Sequence, residues 1–268
     1  MNHKKRDNRK RVPFRGGGFT HKPLFYVGPL VFVILIALLQ WGTTKGWISN
    51  LTLPKPSGVA HALIELYQSG LLYKHLVPSL TRLLVGSLIG VSAGIVIGVF
   101  IGLFSMARAA LLPLVAALFP VPKIALLPLF VIWFGIDEGS KYALIALGSF
   151  APMVVATYAA IDNVDRSLIR MGQSFGLKWF SIVRKIVLPG ALPGILSGLR
   201  IALSISIILL VAAEMLGANY GIGAYVLEAG SLYDLERLFA GVFILSLIGV
   251  IINWLIGILE RKLLAWRT

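Results

Sequence analysis

The chain contains no cysteine and few acids: 11 aspartates and glutamates among 268 residues, against 25 lysines and arginines. Without cysteine there is no disulfide framework, thiolate metal site or thiol nucleophile. The four histidines (His3, His21, His61 and His75) fall outside the apolar runs and form no HExxH or related ligand spacing. No Gly-Lys dipeptide occurs anywhere, so no G-x4-G-K-[ST] phosphate loop exists in the chain. Charged residues make up only 13% of the total, about half of what a soluble domain carries.

What fills the sequence instead is apolar. Hydrophobic residues are 57% of the chain and the mean hydropathy is +0.87, which describes an integral membrane protein. The net charge of +14 would suit nucleic acid, but eight of the basic residues lie in the first 22 positions and most others flank apolar runs. That is the distribution of a topology signal, so no nucleic-acid partner is expected.

Six spans are predicted, at about 24–41, 79–104, 109–134, 142–161, 191–213 and 238–259, packed as one all-α bundle (23–268). Residues 1–22 read as a basic, disordered arm, and 24–41 as an uncleaved first span. Residues 42–78 read as a connection broken by Pro54, Pro56 and Pro78, with Ser57 capping a short surface helix on which Val59, Leu63 and Leu66 share a face. The semi-polar stretch 214–233 reads as a loop or re-entrant turn. With the N-terminus inside, the cytoplasmic segments 1–22, 105–108, 162–189 and 260–268 hold 8, 1, 5 and 3 lysines and arginines. Six others flank the outer ends, which supports an N-in, C-in arrangement in the cell membrane.

Within the second span Gly86, Gly90, Gly94, Gly98 and Gly102 recur every fourth residue. On a helix this cuts a groove that admits another backbone, so these glycines are expected to pack helices. Gly190, Gly194 and Gly198 repeat the device at the entry to the fifth span. The third apolar region carries Lys123 among Pro113, Pro120, Pro122 and Pro128. Prolines free carbonyls that need protein or water beside them, and an intramembrane cation is a candidate functional group. Lys123, Arg200 and Glu214 are the candidate translocation-pathway residues. The alternatives are snorkelling for Lys123 and Arg200 and the start of an outer loop for Glu214.

The longest polar interruption between spans is 162–189. Asp162, Asn163 or Asp165 can cap a first helix carrying Leu168, Met171 and Phe175 on one face, and Gly176 can end it. A second helix, Lys178 to Val187, would present Trp179, Phe180, Val183 and Ile186 before Leu188-Pro189 ends it and turns the chain into the fifth span. Such a knob suits a groove on a partner protein, or an anionic lipid surface.

Gly176, then nine residues, then Ile186, Leu188 and Pro189 resembles the G-x9-I-x-L-P half of the cytoplasmic EAA loop of ABC-importer permeases. The segments VPKIALLPLFVIWFGIDEGSK (121–141), LPGALPGILSGLRIAL (188–203), VAAEMLGANYGIG (211–223) and LERKLLAWR (259–267) are similar to the nitrate, aliphatic-sulfonate and taurine permeases. The resemblance covers about residues 50–267. At the Glu-Ala-Ala positions this chain has Arg170, Met171 and Gly172.

The resemblance implies the transmembrane subunit of a type I importer. It would be a non-catalytic permease with no cofactor of its own, working as a homodimer with a cytoplasmic ATPase dimer that binds ATP and Mg, and with an external substrate-binding protein. Small anions such as nitrate, sulfonates or taurine are the implied solutes, and Arg170, Met171, Gly172, Gly176, Trp179, Ile186, Leu188 and Pro189 the ATPase-coupling residues. Two readings compete with it. An ion-coupled secondary transporter would need carboxylates at mid-span, and a non-transporting membrane assembly protein would use the same glycines and basic loop.

Overall fold

A computed structural model describes residues 26–267, and the basic arm 1–22 lies outside them. The chain divides into two compact units, 1–57 and 58–268.

In the first unit the helix α1 (Val27–Thr44) is apolar and exposed along most of its length. Near its end Gln40 accepts a hydrogen bond from the Ser57 backbone N–H (3.0 Å) and donates to the Ser57 hydroxyl (3.2 Å). Ser57 therefore does not cap the next helix, α2 (Pro56–Gln68). That helix starts with a proline, whose fixed φ and missing N–H cost nothing at a first turn.

The second unit is all helix among its described residues. The helix α3 (Leu71–Leu103) has 33 residues, about 50 Å at 1.5 Å per residue, well beyond a ~30 Å hydrocarbon layer. It begins eight residues before the expected span and absorbs Pro78 and His75, both of which the sequence placed outside it. A proline removes one ladder bond, and the packing of a long helix outweighs that loss. A bent pair follows: α4 (Ser105–Leu118), then a 3-10 turn (Lys123–Leu126) leading into α5 (Leu127–Phe134), with the two arms at 92°. The third apolar region is thus a broken element, folded at the Pro120–Pro122 stretch. Next come α6 (Glu138–Asp162), α7 (Arg166–Ser174), α8 (Trp179–Ile182), α9 (Leu188–Gly217), α10 (Ile222–Ser231) and α11 (Leu235–Leu263). The stretch expected as a loop, 214–233, instead contains a helix, α10, whose Ile222, Tyr225 and Ala229 are buried.

The bundle is assembled around α6. The five glycines of α3 face it in register: a Cβ at Gly86 would lie 2.7 Å from Ile145 Cβ, at Gly94 2.7 Å from Met153 Cβ, at Gly98 2.5 Å from Thr157 Cβ and at Gly102 2.9 Å from Ile161 Cβ. At Gly90 a Cβ would overlap the Ala146 carbonyl oxygen. From the other side Gly194 and Gly198 of α9 meet Ala160 and Ala156, while Gly148 of α6 receives Leu209. The register makes α3 parallel to α6 and α9 antiparallel to it. Ile145, Met153, Val154 and Ser149 are sealed in consequence.

Replacing Gly90 with alanine should force α3 away from α6 and destabilise the protein by about 1–3 kcal/mol, the usual cost of overpacking. Gly257 has no atom within 4 Å of its would-be Cβ, so Gly257→Ala should be neutral. Thermal unfolding of both variants in detergent checks this; equal melting temperatures would show that the α3–α6 contact yields freely.

Candidate functional site

The basic loop folds into a knob at the end of the bundle where α3 and α6 finish. Asp165 opens α7 by accepting the Ser167 backbone N–H (2.8 Å), a cap worth about 1 kcal/mol. That bond favours the ionised carboxylate and holds Asp165 below its usual carboxylate range. Gly176, at φ +69°, closes the helix: its N–H bonds to Gln173 O (2.9 Å) and that of Leu177 to Gly172 O (3.1 Å). This is the Schellman arrangement, for which a left-handed residue is required. Gly172 lies where α7 crosses the following helix, and a Cβ there would come within 2.8 Å of Ile186 Cδ1. The replaced triplet Arg170-Met171-Gly172 and the Ile186 of the spaced motif therefore meet in space.

The second helix of the knob is not ended by Leu188-Pro189. α8 passes through a π-turn (Val183–Val187) straight into α9, giving one continuous helical path from Trp179 to Gly217. Pro189 occupies the first turn of α9, and the widened turn before it accommodates a residue with no N–H and a bulky ring. Ile182, Val187 and Ala191 pack with Ala160, Ile161 and Val164 of the α6 end, so the knob is fused to the bundle. Its outer surface is apolar and aromatic: Phe175 is 79% exposed, Phe180 66%, Trp179 54% and Met171 51%. Trp179 also stacks at 5.6 Å on Phe104 at the end of α3. Arg108 and Asp162 form an ion pair beside it.

At the other end of α3 lies a polar cluster of which the sequence singles out only Glu214. Arg82 donates Nε and Nη2 to the two carboxylate oxygens of Glu138 (2.6 Å each), and Nη1 to Glu214 Oε1 (2.9 Å) and the Tyr220 carbonyl (2.6 Å). Glu214 also accepts from Ser79 Oγ (2.7 Å) and the Gly223 N–H (2.8 Å). Ser79 Oγ accepts the Ile222 N–H (2.8 Å), and the His75 ring bonds the Gly221 carbonyl (2.9 Å). Gly221 is at φ +151° and packs directly on the Glu214 carboxyl. One guanidinium thus ties α3, α6, α9 and the α9–α10 turn together.

Of the three residues expected in a pathway, Glu214 is 1% exposed with both carboxylate oxygens engaged. It lies inside α9 rather than in a loop, and Arg82, Ser79 and Gly223 enclose it. Lys123 sits at the bend between α4 and α5, partly buried, with Nζ on the Phe119 carbonyl (2.6 Å) and 5.5 Å from the Phe119 ring. Arg200 is half exposed on α9 and pairs with Glu260 near the end of α11 (3.1 Å). The structure does not bring these three together. Arg82 escaped the sequence reading because it was placed at the edge of a span starting at 79. Its partner Glu138 was hidden in what reads as a turn, and the clue was a cation four residues before the first glycine of the ridge.

Residues 90–265 match the family model described as binding-protein-dependent transport system inner membrane component. The aliphatic sulfonates transport permease protein SsuC of Bacillus subtilis is 37% identical over 240 residues, 90% of this chain and 87% of its own. The taurine transport system permease protein TauC of Escherichia coli is 37% identical over 240 residues, 87% of each chain. The riboflavin transport system permease protein RibX of Chloroflexus aurantiacus is 32% identical over 238 residues, 89% of each. Among solved structures, a chain of the inward-facing MetNI methionine ABC transporter superposes with TM-score 0.63 and 21% identity, over 72% of this chain and 96% of that one. That likeness concerns the fold.

Removing Arg82 leaves two carboxylates without their cation, one of them fully buried. Arg82→Met should destabilise the protein by about 3–5 kcal/mol, the cost of breaking a buried pair. Arg82→Lys should recover only part, since an ammonium cannot form the two-pronged bond to Glu138. Denaturant unfolding in detergent tests the order; equal stability of the two variants would show that charge alone, without geometry, holds the cluster.

Proposed function

The chain belongs to the binding-protein-dependent transport system inner membrane component family, and from that premise we propose that it carries a small sulfonate such as taurine, coupled to ATP hydrolysis through the knob at 162–189. As a member of that family it is the permease subunit of an ABC importer and a multi-pass protein of the cell membrane. An importer of this type implies an ABC ATPase and a substrate-binding protein as partners. The proposed assembly pairs two copies of this chain with two ATPases, and ATP and Mg are held by the ATPases.

The observation that carries the coupling role is the exposed cluster Met171, Phe175, Trp179 and Phe180 on a base packed into the bundle. Large apolar side chains at the tip of a polar, basic loop gain by insertion into a protein groove, and Arg166, Arg170 and Lys178 around them would steer the approach. Because the knob runs through the π-turn into α9 without a break, a push on Trp179 reaches the span directly. Closure of the ATPase dimer would draw two knobs together and tilt α9 with the α3–α6 pair, opening a central passage to the outer face. The basic segments place this knob inside, with both termini on the same side.

The substrate class rests on relatives at 37% identity that are named for aliphatic sulfonates and taurine. Lys123, partly buried at a broken element, is proposed to contact the passing anion, since irregular backbone at membrane depth belongs beside protein or water.

Trp179→Ala and Phe180→Ala should each reduce substrate-stimulated ATP hydrolysis of the reconstituted complex about tenfold, with membrane insertion and melting temperature retained. Full stimulation in both would remove the knob from coupling. Lys123→Met should lower taurine uptake without altering ATPase co-purification; unchanged uptake would take Lys123 out of the passage.

A further inference from the structure

The helices α9 and α11 enclose an open groove of about 290 Å³ lined by Arg200, Ser204, Ser246 and Asn253 among Ile207, Leu245, Ile252 and Ile256. Asn253 lies well inside α11, is exposed, and forms no hydrogen bond among the described residues. An amide with two donors and an acceptor facing lipid tails would cost several kcal/mol. The helix is long and apolar enough to cross a membrane, which makes the asparagine conspicuous. The two serine hydroxyls donate to their own helices, Ser204 to the Arg200 carbonyl (2.9 Å) and Ser246 to the Val242 carbonyl (2.9 Å). The free donors of the groove are therefore the Arg200 guanidinium and the Asn253 amide.

Arg200 spends one N–H on Glu260 Oε2 (3.1 Å), a pair in which both side chains remain more than a third exposed. That single bond leaves the other N–H groups of the fork without a partner among the described residues. A planar fork that is loosely occupied by a carboxylate can exchange it for another oxyanion.

Building on the anion-import reading above, we infer that this groove is a binding subsite for the sulfonate head group of the solute. Arg200 and Asn253 donate to the sulfonate oxygens, the isoleucine and leucine walls cover the aliphatic chain, and Glu260 holds Arg200 when no solute is present. The solute displaces Glu260 on entry, and Glu260 returns as it leaves. A sulfonate offers three oxygens to donors on two helices, whereas a neutral analogue has no charge with which to displace the carboxylate.

The test uses the purified permease–ATPase complex in phosphatidylcholine nanodiscs, without binding protein, and saturation-transfer NMR with ethanesulfonate as probe and ethanesulfonamide as the neutral control. Ethanesulfonate should bind and the sulfonamide should not. Arg200→Gln and Asn253→Leu should weaken binding about tenfold, and Glu260→Gln should strengthen it about threefold by removing the competitor. Asn253→Leu deletes no charge and no bond within the protein, so it remains informative if Arg200→Gln misfolds. Equal signals from the two probes, or undiminished binding in Asn253→Leu, would overturn the subsite. Loss of the signal on adding phosphatidylglycerol would assign the groove to a lipid head group, and loss of subunit assembly in Asn253→Leu would assign it to a second copy; both overturn it as well. Uptake of ethanesulfonate by cells carrying the whole transporter is measured separately. Binding without uptake would overturn the transported solute while leaving the subsite standing.

Discussion

The distance between α6 and its two neighbours sets the terms for everything else in the bundle. In lipid the apolar effect does not drive helices together, so association depends on how closely backbones can approach. The glycines of α3 and α9 remove side chains along two faces of one helix, and the carbonyls and β-carbons of α6 fill the space, as the sub-3 Å positions of the missing Cβ atoms record. Each glycine carries a helix-propensity cost of about 1 kcal/mol relative to alanine, and close packing along two whole helix faces offsets it. The coupling proposed for the knob requires a slab that moves as a unit, and close packing along two helix faces provides one.

The two ends of that slab are finished by different chemistry. At the knob end the closure is apolar, with Ile161, Ile182 and Val187 packed together, and the polar groups point outward. At the other end it is ionic, with Arg82 joining carboxylates from two further helices. Glu214 is sealed, while Glu138 is nearly half exposed. Arg82 itself is buried, and of its two carboxylate partners only Glu138 reaches the surface. The sealed pair sets the register of α3 against α9, and the exposed pair joins that register to the start of α6.

The parts of the fold legible from sequence were those written in local periodicity. The four-residue glycine spacing, Asp165 as a cap, Gly176 as a stop and the membrane character all appear in short windows. What was not legible depended on contacts far apart in the chain. The helix α10 has little periodic signal because its burial comes from Gly221 and Gly223 closing on Glu214, and a run rich in glycine reads as a loop. The start of α3 was misplaced because Pro78 is a breaker locally, whereas the buried His75 and Ser79 contacts with Gly221 and Ile222 hold the turn before it. Leu188-Pro189 misled in the same way, since a π-turn cannot be seen in composition. Arg82 and Glu138 lie 56 residues apart, and no window connects them.

The continuity through Pro189 changes what the knob can transmit. A loop that ended at a proline would pass on force through a flexible joint, and motion of the knob would be partly lost there. A helical path from Trp179 to Gly217 has no such joint. Its irregularities are the π-turn, braced by the buried Val183 and Val187, and Pro193 inside α9. Along that path lie, in order, the exposed aromatics, the glycines that touch Ala160 and Ala156, Arg200 in the α11 groove, and Glu214 in the ionic cluster. In the proposed coupling, a displacement at the knob would act on the α6 contact, on the Arg200–Glu260 pair and on the ionic cluster through this one helical path. Of these three contacts, only the Arg200–Glu260 pair has both side chains more than a third exposed, so it is the one that the proposed solute would reach without disturbing the slab or the ionic cluster.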